Sequence, residues 1–254
     1  MNGIETGVLI SLALYFLLMI GIGVWAYFKA DNDSAGYMLG GRNLSPGVAA
    51  LSAGASDMSG WLLLGLPGYM YSSGVVSIWI ALGLTIGAFA NYLLVAPRLR
   101  VYTEIADNAI TLPDYFANRF EDKSHLLRVI SAIVIILFFT VYTAASLAGG
   151  GKLFDSALGM SYSTGLWVTA GVVVIYTLFG GFLAVSTTDF VQGVIMLLAM
   201  IIVPLVAFTD LGGVGATTTA IRNIDPEMLN IFSGMTFLGI LSLLAWGLGY
   251  FGQP

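Results

Sequence analysis

Between Asn43 and Pro97 the chain carries one charged residue, Asp57, set in the run AALSAGASDMSGWLLLGLPG. In lipid, every backbone N–H and C=O of such an apolar stretch must be paired within the protein, which restricts it to helices or a closed barrel. A carboxylate at that depth costs several kcal/mol unless it faces protein, water or a cation. The Gly, Ala and Ser residues around Asp57 let a helix open there and present its carbonyls to a cavity. Asp57 is therefore a candidate functional residue before any other is read.

Composition sets the class. Charged residues make up 9% of the chain and hydrophobic ones 58%, against roughly 25% charged in soluble domains, and the mean hydropathy is +0.92. The chain is an integral membrane protein. It contains no cysteine, which excludes disulfides, thiolate metal sites and cysteine catalysis. Its one histidine, His125, sits between Lys123 and Arg128 in a charged loop, a setting unsuited to a zinc site or a histidine-dependent triad. The nine basic residues are too dispersed for a nucleic-acid surface. The first apolar run, Thr6 to Phe28, has no basic leader and no small-x-small cleavage site, so it reads as a retained span rather than a signal peptide.

A span needs about 20 apolar residues, so the uncharged intervals predict the helices. Residues 6–28 hold one and 43–97 hold two, turning near Tyr69 to Gly74. Residues 129–151 and 190–209 hold one each, 156–188 holds one plus an excess, and 228–254 begins a seventh. The loops after spans one and three carry Lys29, Arg42, Arg98, Arg100, Arg119, Lys123 and Arg128, whereas those on the other side carry Lys152 and Arg222. This asymmetry predicts a cytoplasmic first set and an extracytoplasmic N-terminus. Within the cytoplasmic loop, TLPDYFANRF predicts a short interfacial helix capped by Thr111. The outer loop from Asp210 to Ser233, with Gly212, Gly213, Gly215 and a threonine run, reads as irregular. The chain stops at Pro254 with the seventh span still apolar, which suggests a fragment.

Two spans are interrupted by small residues, the second at SAGASDMSG and the seventh at WGLGYFGQP. Such a pair at matching positions of two halves points to a transporter substrate site. If span two opens a five-helix unit, span seven opens the next with inverted topology. Carbonyls released at a break coordinate a small hard cation such as Na⁺, and the N-terminus of the following half-helix favours an anionic group. Ser56 and Ser59 can add hydroxyl oxygens, and Asp57 negative charge. This chemistry suits ion-coupled uptake of a small zwitterion.

The runs LGGRNLSPGVAALSAGASDMSGWLLLGLPG, TLPDYFANRFEDKS, FGGFLAVSTTDFVQG and WGLGYFGQP resemble, in the same order, the sodium/solute symporter family in its sodium/proline branch. The resemblance covers the whole chain. It implies an all-α, leucine-transporter-type inverted-repeat fold, of which this chain holds the first half only, with one extra N-terminal helix. Residues 1–42 would be that helix and its cytoplasmic loop. The first repeat of five helices would occupy 43–209, an extracytoplasmic loop 210–233, and the start of the second repeat 234–254. Asp57 matches the family's essential aspartate for sodium coupling, and Ala55 and Met58 match positions whose carbonyls bind Na⁺. The remaining sodium ligands would lie beyond residue 254. Ser59, Gly60 and Trp61 match the substrate-side turn, while Tyr142, Trp246 and Tyr250 match aromatic positions around proline. Aromatic faces suit a pyrrolidine ring and its ammonium. Arg42 and Asp189 match positions with secondary weight in coupling.

Plainer readings exist for each residue. Asp57 could cap the half-helix after the break, and the aromatic residues could be core packing or an interface belt. Ser186-Thr-Thr-Asp189 fits a capping box at the start of span six, and Arg42 fits a positive-inside anchor. The rival functions are an intramembrane aspartyl protease using Asp57 and Asp189, a sensor module ahead of a signalling kinase, a channel, and a carrier for a related amino acid. The favoured expectation is sodium-coupled symport of L-proline across a bacterial cytoplasmic membrane, with Na⁺ as coupling ion. No enzymatic activity, organic cofactor or nucleic-acid partner is expected. The sequence specifies no oligomeric state, and a monomer is compatible with it.

Overall fold

The computed structural model describes residues 6–29, 33–58 and 60–252, and every regular element among them is helical. Four stretches are long and apolar enough to cross a membrane: Thr6–Lys29, Leu66–Ile105, Leu126–Ser156 and Tyr162–Asp210; Phe237–Phe251 is a shorter apolar helix. Two of the four are interrupted at a glycine with positive φ, Gly74 (φ 74°) and Gly181 (φ 54°). Only glycine enters that region without strain. Divided at these glycines, and with the helix from Pro46 leading into Leu66, the stretches give the seven apolar segments of the sequence reading. The turn near Gly74 falls where expected. The turn between segments five and six lies at Gly181, not beside Asp189, because the Gly180-Gly181 pair interrupts the helix before the charge is reached.

The elements are α1 (Thr6–Lys29), α2 (Ser34–Leu39), α3 (Pro46–Asp57), α4 (Leu66–Ser73), α5 (Ile78–Ala90), α6 (Ala96–Ile105), α7 (Leu112–Arg119), α8 (Leu126–Leu158), α9 (Tyr162–Asp210), α10 (Val214–Ile224), α11 (Phe237–Leu244) and α12 (Trp246–Phe251). Two π-helical turns, Trp61–Gly65 and Asn91–Val95, precede α4 and α6, each of which has proline at its start. Pro67 and Pro97 donate no hydrogen bond, and their rings crowd the carbonyl four residues back; widening the preceding turn relieves both problems.

The chain forms two compact units. The first comprises residues 1–63 and 133–201. Its core is Met19, Ala26, Tyr176 and Ala184, with Tyr15, Ile22, Val172, Leu183, Val185 and Val191 packed around it, so α1 meets both arms of α9. A Cβ added at Gly23 would lie 2.8 Å from Tyr176 Cβ, and one at Gly180 would lie 2.9 Å from the Gly23 carbonyl oxygen. Small residues permit this backbone approach, the usual way membrane helices pack tightly. Gln192 Nε2 donates to Tyr15 Oη at 2.7 Å. On α8, Ile133, Ile136, Phe138, Phe139 and Val141 are exposed, as lipid-facing side chains are.

The second unit comprises residues 64–132 and 202–254. In it α5 runs against α11 and α12 in backbone contact: a Cβ at Gly83 would strike the Leu244 carbonyl, and one at Gly87 the Gly247 carbonyl. Trp79 Nε1 donates to the Ile231 carbonyl at 2.8 Å. As expected, α7 is capped by Thr111, whose hydroxyl accepts from the Asp114 N–H. Asp122 accepts from the Ser124 hydroxyl and, at 2.7 Å, from the Leu127 N–H that opens α8. The Ser124 bond and then the Leu127 bond hold its carboxyl below the usual carboxylate range. The segment read as an irregular outer loop contains a helix, α10, after turns at Gly212 (φ 84°) and Gly213 (φ 95°). Val214, Thr217, Ile221 and Ile224 recur at helical spacing, a pattern obscured by the threonine run, whose members have weak helix propensity.

Candidate functional site

Helix α3 starts on the Ser45 hydroxyl, which accepts the Val48 N–H, with Pro46 at the first position. It stops at Asp57. Met58 has φ −76° and ψ 87°, outside the helical region, and its N–H bonds back to the Ala55 carbonyl at 3.1 Å. Ser59 lies outside the described residues, and helical structure resumes at Gly60. The chain therefore unwinds beside Asp57, which is half-buried. Ala55 oxygen, having accepted one hydrogen bond, keeps a second lone pair.

Two neighbouring helices of the first unit hold this end of α3. From α9, the Asp189 carboxylate oxygen Oδ2 accepts from the Ser52 and Ser56 hydroxyls, both at 3.0 Å. From α8, Tyr142 Oη donates to the Ser56 carbonyl at 2.6 Å. That carbonyl belongs to the last turn of α3, where no helical N–H is available to it. Gly193 of α9 faces α3, where a Cβ would stand 3.5 Å from the Leu51 carbonyl oxygen, an ordinary contact distance. The result is a cluster of carbonyl, hydroxyl and carboxylate oxygens around one unwound turn.

Asp189 does not form the capping box read from the sequence. It lies well inside the second arm of α9, 8% exposed, and Ser186 Oγ is buried without a hydrogen-bond partner. The helix interruption at Gly181 precedes Ser186, so there are no free N–H groups at Asp189 to cap. Its charge is satisfied by α3 instead.

The other sequence-predicted residues divide between the units. Gly60 approaches α8, its Cβ 3.7 Å from the Ala145 carbonyl oxygen, and Trp61 opens the π-helical turn with 38% exposure. Tyr142 is brought to α3, as above. Arg42 ends the short turn Gly40–Arg42 with φ 58° and is exposed. Trp246 and Tyr250 belong to the second unit, both on α12. The seventh span was expected to break within WGLGYFGQP; Trp246–Phe251 is helical, and the helix ends at Gly252. The junction at Ala245 keeps right-handed helical angles (φ −63°, ψ −15°). Gly247 of this motif packs closely against α5, and Gln253 and Pro254 lie outside the described residues.

Sequence reasoning missed Ser52, Asn91 and the Tyr15–Gln192 pair. Asn91 is 4% exposed, and its amide donates to the carbonyls of Phe251 (2.8 Å) and Tyr250 (3.4 Å). The available signal was a lone amide in an otherwise apolar span. Among the described residues no three His, Asp or Glu side chains converge on one point. A cavity of about 380 Å³ is lined by loop residues including Glu121, Lys123 and His125 and touches none of the predicted site residues.

A family model described as the sodium:solute symporter family matches residues 37–254. The osmoregulated proline transporter OpuE of Bacillus subtilis is 58% identical over 247 residues, covering 97% of this chain and 50% of that protein. The high-affinity proline transporter PutP of the same organism is 61% identical over 236 residues, covering 93% of this chain and 50% of that protein. A sodium/proline symporter of Staphylococcus aureus is 56% identical over 245 residues, covering 96% and 48% respectively. The chain thus spans about half the length of the curated relatives it matches.

Proposed function

The chain belongs to the sodium:solute symporter family, and from that premise we propose that it forms the N-terminal part of a carrier that couples Na⁺ entry to L-proline uptake across the bacterial cytoplasmic membrane. Family membership makes it a transport protein rather than an enzyme, so the aspartyl-protease reading of Asp57 and Asp189 is dropped. The substrate assignment is supported by three relatives, each more than half identical, that are named for proline. The fold proposed is the leucine-transporter type, with α1 as the extra helix and the N-terminus outside, as the Lys/Arg asymmetry requires.

The observation that carries the sodium reading is the unwound turn at Met58 beside Asp57. Ala55 and Met58 supply carbonyl oxygens to the cation, and Asp57 supplies field. Asp189 secures the end of α3 through Ser52 and Ser56. Trp61, Tyr142, Trp246 and Tyr250 present aromatic surface to the pyrrolidine ring and its ammonium, with the Ser59-Gly60 turn on the substrate side. Arg42 takes a secondary part in coupling. Coupling requires only that the sodium-bound state hold proline more tightly, and linkage makes the effect reciprocal.

The test is radiolabelled proline uptake by the full-length protein in vesicles, with and without an inward sodium gradient. Uptake should depend on the gradient. Equal uptake in sodium-free vesicles would remove sodium coupling, and no uptake in either would remove proline.

A further inference from the structure

We propose that Asn91 is a positioning residue of this carrier: its side-chain amide sets the end of α12, and with it the Tyr250 ring, against α5. The proposal rests on the reading of Tyr250 as part of the proline site, but its geometric half stands independently.

Asn91 is the one amide between Ile78 and Val95, and it is buried. Its Nδ2 donates to Phe251 O at 2.8 Å and to Tyr250 O at 3.4 Å. In a continuing helix the Tyr250 carbonyl would bond the N–H of residue 254, but residue 254 is proline and has none. Helix α12 has Gly252 as its C-cap, and the Gly252 N–H is directed at both Leu248 O and Tyr250 O. Carbonyls in a last helical turn must find side chains or water, and water is scarce at membrane depth.

The surrounding structure brings the amide to this point. Gly83, Gly87 and Asn91 are spaced four apart and so share one face of a continuous helix. That face meets Leu244, Gly247 and then Tyr250–Phe251 in step along α11 and α12. A Cβ at Gly87 would strike the Gly247 carbonyl and one at Gly247 the Gly83 carbonyl, so the two backbones touch and a short amide can reach. Asn91 also opens the π-helical turn Asn91–Val95 that Pro97 imposes, a feature frequent at functional positions.

The experiment compares Asn91→Leu, which keeps the branched shape but removes the donor, and Asn91→Gln, which keeps the amide, with wild type in the full-length protein. Two readouts are needed: proline and sodium concentrations for half-maximal uptake at matched membrane abundance, and hydrogen exchange across residues 246–252. Asn91→Leu should raise the half-saturating proline concentration about tenfold, equal to about 1.4 kcal/mol, leave the half-activating sodium concentration unchanged, and speed exchange in 246–252. Asn91→Gln should recover part of both losses. If Asn91→Leu does not reach the membrane, Asn91→Ser, with a shorter donor, is measured in the same two ways. Unchanged exchange in 246–252 overturns the positioning role. Faster exchange with unchanged proline saturation retains the positioning and removes Tyr250 from the proline site.

Discussion

The end of α3 and the end of α12 solve one problem with different chemistry. At each, a side-chain donor from a neighbouring helix of its own unit reaches carbonyls of the last turn: Tyr142 for Ser56, Asn91 for Tyr250 and Phe251. Around α3 stand two carboxylates, Asp57 and Asp189, with the Ser52 and Ser56 hydroxyls. Around α12 stand glycine backbone, an amide and two aromatic rings, with no charge between Trp246 and Phe251. The first collection of oxygens suits a cation, and the second suits an apolar ring. A helix end at membrane depth is thus specialised by what supplies its missing hydrogen bonds.

The largest effect should come from the α12 seam. Gly247→Ala drives a Cβ into the Gly83 backbone, whereas Gly249→Ala on the same helix meets nothing within 4 Å. Gly247→Ala should destabilise the protein by about 3 kcal/mol, seen as a large drop in membrane abundance and in the melting temperature in detergent. Gly249→Ala should be neutral or stabilising by up to about 1 kcal/mol. Equal melting temperatures would contradict the backbone seam.

Around α3 the contrast is between charge and hydrogen bonding. Asp189→Ala strands the Ser52 and Ser56 hydroxyls and should cost about 1–3 kcal/mol. Asp189→Asn keeps an acceptor oxygen and should recover most of the thermal stability. If the two variants melt alike, the hydroxyl bonds are not what holds α3 to α9. A smaller change is expected from Tyr142→Phe, which leaves the Ser56 carbonyl without its donor. About 1 kcal/mol should appear as a few-fold rise in the half-activating sodium concentration, and an unaltered value would separate Tyr142 from the break.

The smallest effect lies outside both regions. Asp122 is held below the usual carboxylate range by Ser124 and the Leu127 N–H. A depressed native pKa contributes stability that is present above the unfolded value of about 4 and lost as pH falls through the native one. Melting temperature should therefore decline slightly from pH 5 to pH 3. Asp122→Asn should flatten this decline while leaving sodium and proline constants unchanged.

The sequence disclosed the helical class, the turn at Gly74, the Thr111 cap and the opening beside Asp57, because each is written in local chemistry: uncharged length, glycine, a capping hydroxyl, and a charge among small residues. It did not disclose Asp189 as the acceptor for α3, since that pairing joins residues 137 positions apart and a local capping pattern offered a competing account. Asn91 was passed over for the same reason: its partners are carbonyls, which every residue carries and no sequence pattern marks. Within WGLGYFGQP, Gly247 serves a close helix crossing, a use of glycine that composition alone does not distinguish from unwinding.

The division of labour between the two helix ends is tested most directly by measuring half-activating sodium and half-saturating proline concentrations side by side for Asp57→Asn and Trp246→Ala in the full-length protein. The account predicts a crossed result. Asp57→Asn should raise the sodium value at least about tenfold with little change in proline saturation at high sodium, and Trp246→Ala should raise the proline value and leave sodium activation intact. Unchanged sodium activation in Asp57→Asn, or equal shifts of both constants in both variants, would contradict it.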